Sequence, residues 1–296
     1  MTPGGARTLT VVGAGAIGST LALHFARAGH EVTVVARGER LRHLRADGAI
    51  VTTDGARVPV RVVDEPRPAD LLLVPVRPWQ VDALLPALKA AASPVMFMFN
   101  AWSGVPALRE AVGRERFAWG FPAVIAALRD GRLESRVVPR ALERLQVTTL
   151  GALPDFRPPW LDGWAAAFTA AGIPAVECSD MQAWLASHAA LMAPLMAAGV
   201  LARQRGLSGA EARAVVDAWR TGLSLVRARG LEVTPAPLAS LVGAPAPLLS
   251  ALLWLASRVG ALAPLADNGA DEPRFLLEAM ARDGLTPTLG SRLLPR

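Results

Sequence analysis

The chain has 296 residues, 52% of them hydrophobic, a mean hydropathy of +0.33 and a formal net charge of +6. That length accommodates two domains, and a single cysteine, Cys178, excludes an intrachain disulfide framework and fits a reducing cytoplasm. The basic excess is arginine apart from Lys89, and it is dispersed without basic blocks or interleaved aromatics, which argues against nucleic acid and for small anionic partners.

The opening MTPGGART carries no apolar run, so no signal peptide is expected. Residues 8–37 read TLTVVGAGAIGSTLALHFARAGHEVTVVAR. An apolar strand leads into Gly13-Ala14-Gly15-Ala16-Ile17-Gly18, then a helical period, then a second apolar strand. This is a βαβ unit with a dinucleotide fingerprint at its first turn. Gly13 permits the tight turn, Gly15 lets backbone approach a diphosphate, and Gly18 lets the helix pack on its strand. The diphosphate rests on unpaired N–H groups at the helix N-terminus. At the end of the second strand, where an NAD site carries a carboxylate, stand Ala36-Arg37-Gly38, with Glu39 and Arg40 next. An arginine there suits a 2′-phosphate, so NADP(H) is the expected cofactor, unless Glu39 turns inward.

Further strands are expected at 57–63, 70–76, 95–99 and 145–150, with an apolar stretch at 117–127 and helices at 79–91 and 105–112. This is the pattern of a doubly wound α/β sheet whose later strands are expected to run antiparallel. Past the prolines of 154–159 come a helix at 160–171 and a short strand at 174–178, and from Asp180 on the period is helical throughout. The expected division is a Rossmann-type domain over 1–175 and an all-helical domain over 176–296. Asp180 reads as a helix N-cap, and Ser208 with Glu211 as a capping box. The apolar stretch 183–202 carries His188 and Pro194 and is rich in alanine, so a buried core helix explains it better than a bilayer span. The stretch 248–265, interrupted by Arg258, is read the same way. Four histidines, none at ligand spacing to another His or to Cys, give no metal site.

The chain resembles the ketopantoate reductase family, the 2-dehydropantoate 2-reductases. The residues that carry the resemblance are VVGAGAIGS at 11–19, GHEVTVVAR at 29–37, LRADGAIV at 44–51, DLLLVPVRPWQV at 70–81, FNAWSG at 99–104 and ALRDGRLES at 127–135. Beyond these, only FLLEAMARDGLTPT at 275–288 matches loosely. The resemblance implies a Rossmann domain followed by an all-helical one, with substrate between them and NADPH delivering hydride to the carbon of a 2-oxo acid. It places Asn100 beside nicotinamide and substrate, and Arg77 where the family usually has a cofactor-contacting lysine. Asn100 also reads as an ordinary turn residue after a strand.

The departure lies in the helical domain. The family's general acid is a lysine on the first long helix, followed four and eight residues later by asparagines on the same face. Aligned on Trp184, the three positions fall on Ala186, Ala190 and Pro194; aligned on Pro194-Leu195, they fall on Leu185, Ala189 and Ala193. Both registers erase the polar ladder, and Lys89 lies in the other domain. His188 is the remaining proton-donor candidate, set against the reading of a core histidine bonded to a backbone carbonyl. By the same resemblance, Ser257 falls near the position of a substrate-binding serine, and Asp267 or Asn268 near that of a ribose-binding carboxylate. Asp271 and Glu272 read as a solvated turn.

These residues lead to a cytoplasmic NADP(H)-dependent oxidoreductase for a 2-oxo acid, ketone or imine other than ketopantoate. Its substrate is hydrophobic or carboxylate-bearing and bounded by Trp184, and a homodimer packed through the helical half is open. The alternative is a redox-silent NADP(H)-binding protein, a sensor or a cyclase-like enzyme. A short-chain dehydrogenase is excluded, because the chain has no tyrosine.

Overall fold

The computed structural model of the chain describes residues 5–137, 147–267, 269–286 and 293. They divide into two compact units, one of residues 1–99 and 105–181, the other of Asn100–Gly104 and Gln182–Arg296. The first unit therefore runs past the expected limit at 175, because the strand at Ala175–Cys178 completes its sheet.

The strands of the first unit are β1 (Thr8–Val12), β2 (Glu31–Val35), β3 (Ala49–Val51), β4 (Arg57–Pro59), β5 (Arg61–Val63), β6 (Leu71–Val74), β7 (Val95–Phe97), β8 (Phe117–Phe121), β9 (Val124–Arg129), β10 (Arg132–Val137), β11 (Thr148–Gly151) and β12 (Ala175–Cys178). Eight of them form one sheet in the order β12-β11-β8-β7-β6-β1-β2-β5, parallel throughout except between β8 and β11. Burial explains the centre. β6 (LLLV) and β7 (VMF) are buried at every residue, as strands covered on both faces must be. The covering helices are α1 (Ala16–Arg27), α2 (Gly38–Asp47), α3 (Leu85–Ala90), α4 (Val105–Val112) and α5 (Trp164–Ala170). Phe25 of α1 meets Phe168 of α5 edge to face, with ring centroids 4.8 Å apart.

Two expectations are corrected by local chemistry. The strand expected at 57–63 is broken at Pro59. β4 pairs with β3 and β5 joins the main sheet beside β2. The helix expected at 79–91 is two short turns followed by α3, with Pro78 and Pro86 at their starts. The apolar stretch 117–127 is likewise split, into β8 and β9, after which β9 and β10 form a separate hairpin turning at Asp130-Gly131. Both turn residues have positive φ, 50° and 76°, as a two-residue hairpin loop favours.

The second unit is helical: α6 (Met181–Arg205), α7 (Gly209–Ala228), α8 (Ala236–Gly243), α9 (Ala246–Arg258) and α10 (Asp271–Arg282). Its core is built largely of small residues. Ala186, Ala189, Ala190, Ala193, Ala197 and Ala198 of α6 are all buried, and a Cβ on Gly222 of α7 would lie 3.0 Å from that of Ala190. Close helix approach, and not bilayer contact, accounts for the apolarity of α6, since 72% of its most apolar window is buried inside the protein. Ser208 caps α7 as expected. Its hydroxyl accepts from the Glu211 N–H, and Glu211 reaches back to the Ser208 N–H at 2.8 Å.

Candidate functional site

The fingerprint loop sits at the carboxyl end of β1, between β6 and β2, where open parallel sheets bind ligands. Gly13 takes φ +118° and its N–H donates to Val35 O at 3.1 Å, tying the loop to β2. A Cβ on Gly18 would lie 1.9 Å from Gly13 O, so only glycine lets α1 start this close to the loop. A Cβ on Gly15 would meet nothing within 4 Å. The loop is therefore open where a ligand would approach and closed where the helix packs. No side chain caps α1, whose first N–H groups, before the Ser19 N–H that bonds Gly15 O, have no intrahelical partner. These features fit a dinucleotide diphosphate.

At the end of β2, Arg37 is exposed and serves as the N-cap residue of α2. Glu39 does not turn inward; its carboxylate is 3.8 Å from His43 and 74% exposed. Arg40 is the half-buried cation of this edge. Its guanidinium donates to Ala14 O at 3.1 Å, to Ser19 Oγ at 3.0 Å and to Gly131 O at 2.6 Å. Burial pulls its pKa below the usual arginine value. Arg40 thus joins the fingerprint loop, α1 and the β9–β10 hairpin. The sequence placed it nearby without showing this role. Arg77 follows β6, half-buried, with its N–H bonded to Gln80 Oε1 at 3.0 Å.

Asn100 begins the short segment Asn100–Gly104 that belongs to the helical unit. Its Nδ2 donates to Glu272 Oε1 at 2.6 Å, and both side chains are buried. Glu272 stands in the first turn of α10, where the helix dipole favours an anion. The solvated-turn reading of Glu272 is therefore wrong, although it holds for Asp271, which is 80% exposed. Two residues on, the Trp102 indole donates to Asp283 Oδ2 at 2.7 Å while the Arg229 guanidinium covers the ring 4.1 Å from its centroid. Arg229 also ion-pairs with Asp283 and donates to Trp102 O at 2.8 Å. Glu272 and Asp283, at the two ends of α10, pin the segment that carries Asn100.

Along α6, neither sequence register for the ladder reaches a surface. Leu185, Ala186, Ala189, Ala190, Ala193 and Pro194 are all buried, the four alanines within the core of the helical bundle. The partly exposed positions at the same i, i+4, i+8 spacing are Trp184, His188 and Met192. Trp184 and His188 stack, with centroids 4.7 Å apart and an interplanar angle of 10°. His188 keeps a sliver of surface yet is densely surrounded, and burial pushes its pKa down to about 4. At neutral pH the imidazole is uncharged, so it donates one N–H without acting as an imidazolium acid.

The serine and carboxylate expected farther on are committed elsewhere. Ser257 is buried; its hydroxyl donates to Trp254 O at 2.6 Å and accepts from Leu207 N–H, joining α9 to the α6–α7 turn. Asp267 is ion-paired with Arg203, which also binds Ala263 O. Asn268 lies outside the described residues.

Comparison with known proteins bears on this arrangement. The family described as Ketopantoate reductase PanE/ApbA matches residues 9–151. A 2-dehydropantoate 2-reductase of Vibrio cholerae serotype O1 is 32% identical over 135 residues, which is 43% of this chain and 41% of that one, so the match spans about two fifths of the curated relative. Over nearly the whole chain the fold is similar to solved structures. The 2-dehydropantoate 2-reductase of Porphyromonas gingivalis has a TM-score of 0.68 at 16% identity, covering 98% of both chains. D-mandelate dehydrogenase with NADH and anilino(oxo)acetate has a TM-score of 0.73 at 14% identity, covering 97% of this chain and 96% of that one. Sequence thus links residues 9–151, which carry the open fingerprint and the asparagine after β7, to the ketopantoate reductase family, and beyond them the likeness is one of fold.

Proposed function

We propose that the protein is a nicotinamide-dependent oxidoreductase that reduces an apolar, aryl-bearing 2-oxo acid with NADPH. The observation that carries the substrate class is the partly exposed i, i+4, i+8 stripe Trp184–His188–Met192 on α6. It presents an indole, a neutral imidazole and a thioether at the spacing where the family sets a lysine and two asparagines. Such a surface favours a flat apolar substituent over a small polar chain, since stacking on indole adds to simple burial. The solved relative that carries NADH and anilino(oxo)acetate agrees with an aryl oxoacetate, and ketopantoate would lose the polar contacts it needs.

When bound, the nicotinamide supplies hydride to the carbonyl carbon. Gly13 to Gly18 hold the diphosphate against the N-terminus of α1. Arg37, with Glu39 turned away, receives the 2′-phosphate, and Arg40 keeps the loop rigid from behind. Arg77 adds positive charge at the end of β6. His188 donates its one N–H to the substrate oxygen, and the proton that completes the alcohol comes from solvent, because an imidazole with pKa near 4 holds none to spare at neutral pH.

The test is turnover of NADPH and NADH against a panel running from pyruvate through ketopantoate to phenylglyoxylate. The proposal expects phenylglyoxylate to have the highest kcat/KM and NADPH to be preferred. Tight NADPH binding with no oxidation by any 2-oxo acid, ketone or imine would select the redox-silent alternative, which the missing lysine favours.

A further inference from the structure

We infer that the outward face of α9 is an interface between two copies of this chain, which pair antiparallel across a twofold axis so that Leu252 of one copy packs on Leu255 of the other. This pairing is independent of the proposed reaction. Ala246, Leu249, Leu253 and Ser257 form the inward stripe of α9 and are buried, the first three in the core of the helical bundle. Outside that stripe stand Leu248, Leu252, Trp254, Leu255 and the capping Val259, each 42–70% exposed, and Arg258 is the one charged residue among the exposed positions of the helix. These five make up most of the nine large hydrophobics exposed among the described residues, so the apolar surface is concentrated on one helix. A surface helix turns polar residues outward, and one that is apolar all round is covered on both sides. Arg258 does not break the face. Its guanidinium lies back over the Trp254 ring, 5.2 Å from the centroid, and a Cβ on Gly206 would lie 3.4 Å from it.

Size, charge and spacing identify the occupant as a second copy. The five side chains together expose roughly 500 Å² of apolar surface, near the upper end for the largest patch on a monomer. Two such faces pressed together remove about 1,000 Å² from water, the size at which a specific interface holds, and the flanking Pro247 and Ala251 add to it. No charged residue occurs from Val233 to Ser257, so the face offers nothing for an oppositely charged partner to complement, whereas homodimer interfaces are apolar and depleted of charge. A lipid surface is disfavoured on the same ground, since interfacial helices carry Lys and Arg along a solvated polar face, and the other face of α9 is packed on protein. Spacing then supplies the symmetry. Leu248, Leu252, Leu255 and Val259 are separated by four, three and four residues, steps that read the same from either end. An antiparallel copy therefore offers the same stripe. Leu248 meets Val259, Leu252 meets Leu255, and each contact recurs across the axis, as a closed twofold interface demands. Alternating steps of four and three are also those that keep a seam facing its partner along a helix pair.

The test is sedimentation velocity of the full chain, wild type beside Leu252→Arg. At about 50 µM, above the micromolar Kd of the weaker specific interfaces, the wild type should sediment at twice the 31.1 kDa chain mass. Its melting temperature should rise with protein concentration. Leu252→Arg places an unpaired cation on each side of the axis and should raise the Kd at least about a hundredfold. Leu252 faces solvent in the single chain, so the variant should keep the wild-type circular dichroism and melt at a temperature independent of concentration. A short bismaleimide reads the direction of pairing in a Cys178→Ser background. Leu248→Cys and Val259→Cys should crosslink when mixed and left to exchange. Neither should crosslink to its own copy, because the eleven-residue separation holds like ends about 16 Å apart. A wild type that stays monomeric, a dimer that survives Leu252→Arg, or Leu248→Cys that crosslinks alone overturns the inference. A monomeric wild type that co-sediments with phosphatidylglycerol vesicles overturns it too, and gives the face to a lipid surface.

Discussion

Trp184 lies flat on His188, ring centroids 4.7 Å apart, one helical turn along α6. The pair leaves the imidazole neutral at physiological pH, since burial holds its pKa at about 4 against 6.5 for a free histidine. The folded state thus binds fewer protons than the unfolded chain between those values. The stability this confers is complete above pH 6.5 and is lost as pH falls toward 4, at most on the order of 3 kcal/mol. Urea titrations across that window should show stability falling with pH in the wild type and a shallower fall in His188→Gln. A pH–rate profile of the enzyme should likewise show no limb near 6.5.

The fingerprint glycines should separate folding from binding. Gly18→Ala drives a Cβ into Gly13 O, a backbone atom that cannot swing aside, and should cost about 3 kcal/mol or more with loss of NADPH binding. Gly15→Ala places its Cβ in open space, so thermal stability should drop by less than about 1 kcal/mol. Its NADPH affinity should nonetheless fall at least about tenfold, since the methyl group occupies the diphosphate's approach.

The segment holding Asn100 should depend on a residue that never meets ligand. Trp102 is buried and clasped by Arg229 and Asp283, so Trp102→Ala should destabilise the protein by about 3–5 kcal/mol in denaturant titrations. Trp102→Phe keeps the ring under Arg229 but leaves Asp283 without the indole donor, and should cost about 1–2 kcal/mol.

On the substrate side, Trp184→Ala should lower kcat/KM for phenylglyoxylate about tenfold through KM, with little change for pyruvate, which has no ring to stack.

Sequence carried the cofactor unit further than the helical one, for physical reasons. A glycine fingerprint between two apolar strands fixes a turn, a helix start and a diphosphate cradle through backbone alone, so residues 8–37 are read from residue types and spacing. The long strand expected at 57–63 fails because Pro59 redirects the chain, as Pro122 does between β8 and β9 within the apolar stretch 117–127. The α6 ladder misleads for another reason. An alanine-rich helix buried on most of its circumference has no polar face to mark its orientation, and both registers chosen from Trp184 and Pro194 fall on packed positions. Only burial distinguishes 184–188–192. Glu272 was hidden because its partner, Asn100, is 172 residues away, and a carboxylate in a helix's first turn looks the same whether solvated or buried.

The central claim is that this fold passes hydride to an apolar 2-oxo acid, and its most direct measurement is loss of reduced-nicotinamide absorbance with phenylglyoxylate and ketopantoate offered side by side. The account predicts NADPH oxidation with both kcat/KM and kcat higher for phenylglyoxylate. Preference for ketopantoate, or NADPH that binds and stays reduced with every oxo acid offered, would contradict it.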